Sequence, residues 1–304
     1  VSLEEIVAAA VRLARELDGE VISADSMQVY AALSIGTARP SEAEMQGVAH
    51  HLLGFLPLEE SYSVARYVED ASHAAGSIHA RGRLPILCGG TGLYLDALCQ
   101  GRSFSDFRPE TGVRTRLQAQ AAQGGLDALW EQLRQVDPET AARLHPHDAK
   151  RIIRALEVWY DTGQTISQHN RQTQTQPPRY QGVTIALTYR DRQDLYQRID
   201  QRVDQMMARG LAEEVRALLA AGIPRTSTAM QAIGYKELVR ALDAGGDLAP
   251  AVEEIKRRSR QYAKRQLTWF RRNQEVHWLL WEREPDFSAA VQDSTQLVHA
   301  SGLQ

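Results

Sequence analysis

Cysteine is almost missing from this chain. Cys88 and Cys99 are the only two in 304 residues, and they form neither a CxxC nor a zinc spacing. A disulfide-stapled scaffold and a zinc ribbon are excluded, and a reducing, cytoplasmic setting is expected. Long apolar runs are missing too: none approaches the ~18 residues of a membrane span, and no signal peptide is visible. Nor is there an excess of positive charge, since 35 Lys and Arg face 38 Asp and Glu for a net −3. The chain as a whole is no basic nucleic-acid binder, so any such activity has to come from local patches. What remains is an ordinary globular composition, 43% hydrophobic and 24% charged, long enough for one large core or two smaller ones.

The central stretch is Gly19-Glu-Val-Ile-Ser-Ala-Asp-Ser-Met-Gln-Val-Tyr30. It follows a helical pattern from Ser2 to Asp18, in which Ser2 and Glu5 fit a capping box and Ile6, Ala10, Leu13 and Leu17 recur at helical spacing. Val21 and Ile22 read as a short buried strand that runs into Ser23, Ala24, Asp25, Ser26 and Gln28. Ligands of open α/β sheets bind beyond the carboxyl ends of strands, which puts Asp25 where a carboxylate can do chemistry; Asp is also a favoured helix cap, and that reading stays open. The paired His50 and His51 read as structural, with no third ligand at zinc spacing.

A helix is expected from Ser63 to Arg81. Leu84 to Cys88 reads as a strand buried on both faces. Gly89-Gly90-Thr91-Gly92 follows at once and leads into a helix. Such a turn either presents backbone N–H groups to an anion or is simply tight. Gly101 to Pro109 is turn-rich. Beyond about residue 110 the pattern is helical, with Ala149 to Thr162 carrying Lys150, Arg151 and Arg154 on or beside one face and Ile152 and Leu156 toward a core. Gln164 to Pro178, rich in Gln, Thr and Pro, reads as a loop or linker. Strand character resumes at Val183 to Leu187, and Arg190 to Ala208 is helical, with Arg198 and Arg202 one turn apart. The strongest charge feature spans Lys256 to Arg272, where Lys256, Arg257, Arg258, Arg260, Lys264, Arg265, Arg271 and Arg272 occur with no Asp or Glu between them. Tyr262, Trp269 and Phe270 interleave, and a phosphate backbone is the natural counterpart. His277 to Trp281 reads as a strand.

In order along the chain, ISADSMQVY, IGTARP, YSVARY, LPILCGGTGLY, HPHDAKRIIRALEV, RIDQRVDQM, MQAIGYKE and AKRQLTWFR together resemble the tRNA dimethylallyltransferase (tRNA isopentenyltransferase) family. The resemblance implies an α/β fold with a P-loop NTPase-like parallel sheet flanked by helices and a helical insertion that swings over the substrate. The implied divisions are a first core part over 1–101, the insertion over 102–180 and a core continuation with a basic helix over 181–304. It implies Mg2+-assisted transfer of a dimethylallyl group from dimethylallyl diphosphate to N6 of adenosine 37, beside the anticodon of tRNAs that read codons starting with U. The partners are a tRNA anticodon stem-loop and the diphosphate donor, without a membrane, and the chain is expected to act as a monomer.

By the same resemblance Asp25 matches the general base, and Ser26, Met27 and Gln28 match the lining of the base pocket. Thr91 and Arg114 match residues that touch tRNA. Lys150, Arg151, Ile152, Ile153 and Arg154 match the contact of the insertion with the anticodon arm, and Arg202 matches the clasp on the diphosphate. Further tRNA-binding segments are matched by Gln231, Ala232, Ile233, Gly234, Tyr235 and Lys236, and by Lys264, Arg265, Gln266, Leu267, Thr268, Trp269, Phe270 and Arg271; Gln231 stands where the family often has a basic residue. The family's opening loop, G-x-x-x-x-G-K-[ST], does not occur in these 304 residues and is expected upstream of Val1. Two alternatives remain: a tRNA-binding protein without turnover, and a transferase acting on free adenine nucleotide.

Overall fold

In the computed structural model the described residues are 1–101, 112–174 and 178–303. Two compact units form, one from Val1–Leu98 with Gln181–Gln304 and one from Cys99–Tyr180. In the first, α1 (Leu3–Glu16) begins with Ser2 and Glu5 capping each other's backbone and leads into β1 (Gly19–Ser23). After α2 (Glu42–Met45) and β2 (His50–His51), α3 (Val64–Ala80) carries the chain to β3 (Leu84–Cys88) and then α4 (Gly92–Cys99). The sheet order is β2-β1-β3, all parallel.

All five residues of β1 are buried. It has a neighbour on each edge, with Val7, Ala10, Val11 and Ala14 of α1 packed on Val21. The strand from Leu84 to Cys88 was expected to be buried on both faces, but only Cys88 is fully buried. Among the described residues β3 pairs with β1 alone, so its apolar run is covered less completely.

The second unit is helical: α5 (Val113–Gln120), α6 (Leu126–Val136), α7 (Pro138–Arg143), α8 (Ala149–Thr162) and α9 (Ile166–Gln174). Its core holds Leu117, Leu129, Leu133, Ile152 and Leu156. The linker expected over Gln164–Pro178 is mostly this last helix. Thr165 and Gln168 exchange side-chain-to-backbone hydrogen bonds at its start, and Asp137 accepts from the Ser167 N–H at 3.1 Å. The remainder of that stretch, 175–177, and the turn-rich stretch beyond Gly101 lie outside the described residues.

The first unit continues with β4 (Ile185–Tyr189), α10 (Arg192–Ala208), α11 (Leu211–Ala220), α12 (Tyr235–Asp243), α13 (Ala249–Phe270), β5 (His277–Trp281) and α14 (Phe287–Ala300). β4 and β5 pair in parallel. The largest core cluster joins Tyr30, Leu33 and Leu56 to Met206, Leu211, Tyr235, Leu238 and Ile255. Among the described residues no helix is long and apolar enough to cross a membrane.

A buried ion cluster pins the amino end of β1. Glu20, 3% exposed, accepts from Arg81 at 2.7 Å and Arg83 at 3.2 Å and meets His51 at 2.7 Å. The Arg81 bond, then those of His51 and Arg83, hold its carboxyl near pH 2 against an ordinary 4.5. A folded-state pKa below the unfolded one stabilises above the unfolded value and is lost as pH falls. Glu20→Gln is expected to cost roughly 1–3 kcal/mol at neutral pH. In denaturant melts the difference from the parent chain should shrink from pH 4.5 downward and vanish near pH 2; a pH-independent difference would rule out the ionic origin.

Candidate active site

The register of β1 with β3 sets Ser23 opposite Cys88. The residues that follow, Ala24-Asp25-Ser26 and Gly89-Gly90-Thr91, therefore leave the sheet side by side. They are stitched by Ala24 N–H to Cys88 O (2.8 Å), Thr91 N–H to Ala24 O (3.1 Å) and Ser26 N–H to Thr91 Oγ1 (3.1 Å). Asp25 turns its own chain as well, accepting from the N–H groups of Met27 (2.8 Å) and Gln28 (3.2 Å) through Oδ1. The helix that Asp25 was open to capping does not form; one carboxyl oxygen caps a turn instead. Burial pushes the pKa of Asp25 above its ordinary value, opposed by the two backbone donors and the charge of Arg202. A carboxyl in that state is a stronger proton acceptor than a solvated one.

Helix α13 closes over this point. Gln266 Nε2 donates to Gly90 O at 2.8 Å, and Trp269 Nε1 donates to Asp96 of α4 at 3.0 Å. Tyr262 hydrogen-bonds Thr91 and Gln266, and burial, aided by the charge of Asp25, pushes its hydroxyl up to about 12. Tyr262, Gln266 and Trp269 are spaced i, i+4, i+7 and so share one helix face. Tyr262 received no role from the sequence, and this spacing relative to two assigned residues was the signal available. The glycine turn is shaped by packing: a Cβ at Gly89 would strike the Ala24 backbone, one at Gly90 the Gln266 amide and one at Gly92 the Trp269 ring. Cys88 is buried with its thiol pushed up to about 12, which removes it as a nucleophile.

A family model described as IPP transferase matches residues 28–273. The chain belongs to the IPP transferase family. It is 46% identical to the tRNA dimethylallyltransferase of Thermoanaerobacter sp. (strain X514) over 270 residues, 88% of this chain and 86% of that one. It is likewise 46% identical to that of Geobacillus thermodenitrificans over 283 residues, 93% and 89% of the two chains. The solved tRNA isopentenylpyrophosphate transferase of Bacillus halodurans superposes with TM-score 0.72 at 40% identity, covering 98% of this chain and 93% of its own. A eukaryotic dimethylallyltransferase acting on tRNA does so at 0.79 and 29%, covering 98% and 75%. The fold class is the P-loop NTPase-like α/β one of these IPP transferases.

Within this member of the IPP transferase family, several residues matched to binding roles turn out to support the backbone. Gln28 is buried, and its amide donates to Thr37 O (3.2 Å) and Ala38 O (3.0 Å) while accepting from Ser23 (3.1 Å). Ser26 and Met27 stay half-buried. Tyr235 is buried against Gly36 and hydrogen-bonds Glu214, which also holds Ser34 and Ile35. Gly234 is buried too, Ala232, Ile233 and Lys236 are half-buried, and Gln231 is exposed. Ile152 and Ile153 lie in the core of the helical unit. Arg202 pairs with Glu4 of α1 through Nε at 2.9 Å, and Arg198 pairs with Glu284.

The basic run of α13 divides in two. Lys256 pairs with Asp204 and Glu253, Arg257 and Arg258 with Glu254, and Arg260 with Asp200. The cationic run of Lys256–Arg272 is therefore neutralised in its first half by acids on α10 and one turn back on α13. Its second half differs: among the described residues no carboxylate lies within ion-pair distance of Lys264, Arg265, Arg271 or Arg272. Arg265 instead sits over the Tyr262 ring, Arg271 over Trp278 and Arg272 over Trp269. Exposed cations stiffened on aromatic faces suit contact with a phosphate chain. Leu267 and Phe270 are half-buried on the inner side, and Thr268 is exposed.

Replacing the glycines one at a time tests the packing. Gly89→Ala meets rigid backbone and is expected to cost about 2 kcal/mol or more. Gly92→Ala, against an indole, should cost less, and Gly90→Ala least, because the Gln266 amide can move. Thermal melts that invert this order would refute the close-approach explanation.

Proposed function

We propose that this chain transfers a dimethylallyl group from dimethylallyl diphosphate to N6 of adenosine 37, next to the anticodon in tRNAs that read codons starting with U. The observation that carries the reading is the half-buried Asp25 carboxyl at the strand ends, next to the Ser26–Thr91 bond and in the field of Arg202, in a chain of this family. The exocyclic amine is a weak nucleophile. As its nitrogen bonds to C1 of the prenyl group, the C1–O bond to diphosphate breaks, the bonding pair leaves with the diphosphate, and Asp25 takes the N6 proton. Arg202 faces the growing negative charge with the nitrogens that Glu4 does not hold. An anticodon loop presents the purine unpaired, so taking it out of the stack costs little.

Free adenine nucleotide fits less well. A mononucleotide has no use for the unpaired Lys264, Arg265 and Arg271, nor for Arg114, Lys150 and Arg154 on the helical unit, whereas an anticodon stem-loop has phosphates for all of them. The helical unit is assigned the swinging role of the insertion, and the chain the role of a cytoplasmic monomer. Mg2+ belongs to the diphosphate in this reading. Among the described residues no group of three or more His, Cys, Asp or Glu side chains is placed to hold a metal ion, so no step is drawn through it.

Asp25→Asn keeps an oxygen for the Met27 and Gln28 donors but loses the base. With labelled dimethylallyl diphosphate, Mg2+ and an anticodon stem-loop, the variant is expected to lose transfer by on the order of 10²–10⁴-fold, with RNA affinity nearly unchanged. Parallel loss of affinity would contradict the base role, and an unaltered chain that binds the RNA without transfer would favour a binding protein. Neutralising Arg265 and Arg271 should lower the salt slope of RNA binding by roughly one for each phosphate left without its cation. Arg257→Gln, already paired with Glu254, should leave the slope unchanged; equal effects would refute the division of α13.

A further inference from the structure

Glu157 lies in α8 of the helical unit, wholly buried, and neither composition nor family motif gave it a task. Its Oε2 accepts from Arg114 Nη2 of α5 at 2.7 Å and from Arg154 Nη1, one turn back on α8, at 2.9 Å. Oε1 is buried with no hydrogen-bond partner among the described residues. Burying a carboxylate is costly, and an ion pair of this kind is weak evidence for stability, since well-packed apolar residues often do as well. The residues before it on α8, Ile152, Ile153, Ala155 and Leu156, belong to the apolar core of the unit. The two arginine side chains, by contrast, are 49% and 44% exposed. Each gives one nitrogen to the same oxygen.

The outward side is a cleft of about 560 Å³. Arg114, Lys150 and Arg154 line it together with Gln118, Ala121, Ala149 and Ile153. A lining of apolar residues and three cations matches a stretch of RNA backbone, with phosphodiesters on the cations and a ribose or base face on the apolar side chains. Arginine side chains on a helix surface are ordinarily mobile, and ordering them on binding costs entropy. A shared buried acceptor removes part of that cost in advance.

We propose that Glu157 is a positioning residue, a buried clamp that fixes Arg114 and Arg154 as a preset pair for two phosphates of the RNA that this cleft holds. The proposal rests on the tRNA reading above. Glu157 itself touches no RNA.

Charge alone and positioning lead to opposite outcomes, so Glu157→Gln in the full chain decides between them. Removing a negative charge beneath a phosphate site should tighten RNA binding if electrostatics were the whole role. Positioning instead requires weaker binding of a synthetic anticodon stem-loop, by roughly three- to tenfold, the size of a modest coupling between neighbouring residues. The KM for the RNA should rise by a similar factor, with kcat and the KM for dimethylallyl diphosphate unchanged. In an Arg114→Gln, Arg154→Gln background the same change should do nothing further. Equal or tighter binding by Glu157→Gln overturns the clamp while leaving the tRNA reading intact. A further loss in the double-arginine background also overturns it, because a general loss of stability would act there too. An unaltered chain that fails to bind the stem-loop overturns both readings.

Discussion

Ser23 stands level with Cys88 in the parallel pairing of β1 with β3, and the chemistry of the site descends from that register. Were the pairing shifted by one residue, Asp25 would leave the strand toward the other side of the sheet. With the strands level, two loops leave together and lie within hydrogen-bond reach along their whole width. Gly89, Gly90 and Gly92 lack the side chains that would hold the loops and α13 apart. Desolvation is the largest cause of the raised proton affinity of the carboxyl between them. Sheet register, glycine content and acid–base chemistry are thus linked as cause and effect.

Charge is managed by segregation. The chain carries a net −3, yet its proposed partner is a polyanion. Acids serve to hold elements together: Glu20 beneath Arg81 and Arg83, Asp200 and Asp204 against α13, Glu214 under the Ser34–Ile35 backbone. The later cations of α13 are without acids among the described residues, and Arg265, Arg271 and Arg272 lie on aromatic rings. In the helical unit Arg114 and Arg154 share one buried carboxylate, that of Glu157. Local fields rather than net charge therefore decide where a phosphate chain can rest.

Much of this was legible in the residues. Ser2 with Glu5 announced the first helix, Ala149–Thr162 was read to its ends, and His277–Trp281 was read as the strand it forms. Local signals with a single physical meaning, a capping box or a sustained apolar period, carried those elements. Helix α9 was lost because Gln and Thr suggested a linker, although Thr165 and Gln168 spell a capping box that outweighs composition. The neutralisation of Lys256 and Arg260 depends on Asp204 and Asp200, far back along the chain, where no local count could reach. The same holds for the site. Asp25 could be placed at a strand end by pattern, but the partnership of Thr91 with Tyr262 and the clamp at Glu157 require tertiary neighbours.

The central claim is that desolvation by three converging segments prepares Asp25 to take a proton. Titration of its carboxyl by 13C NMR, beside single-turnover transfer rates over the same pH range, tests that claim most directly. A base with a raised pKa loses its active form as pH falls through a value above the ordinary 3.8, so the carboxyl signal and the acid limb of the rate should share one midpoint above that value. A carboxyl that titrates at or below 3.8, or a rate indifferent to its titration, would contradict the account.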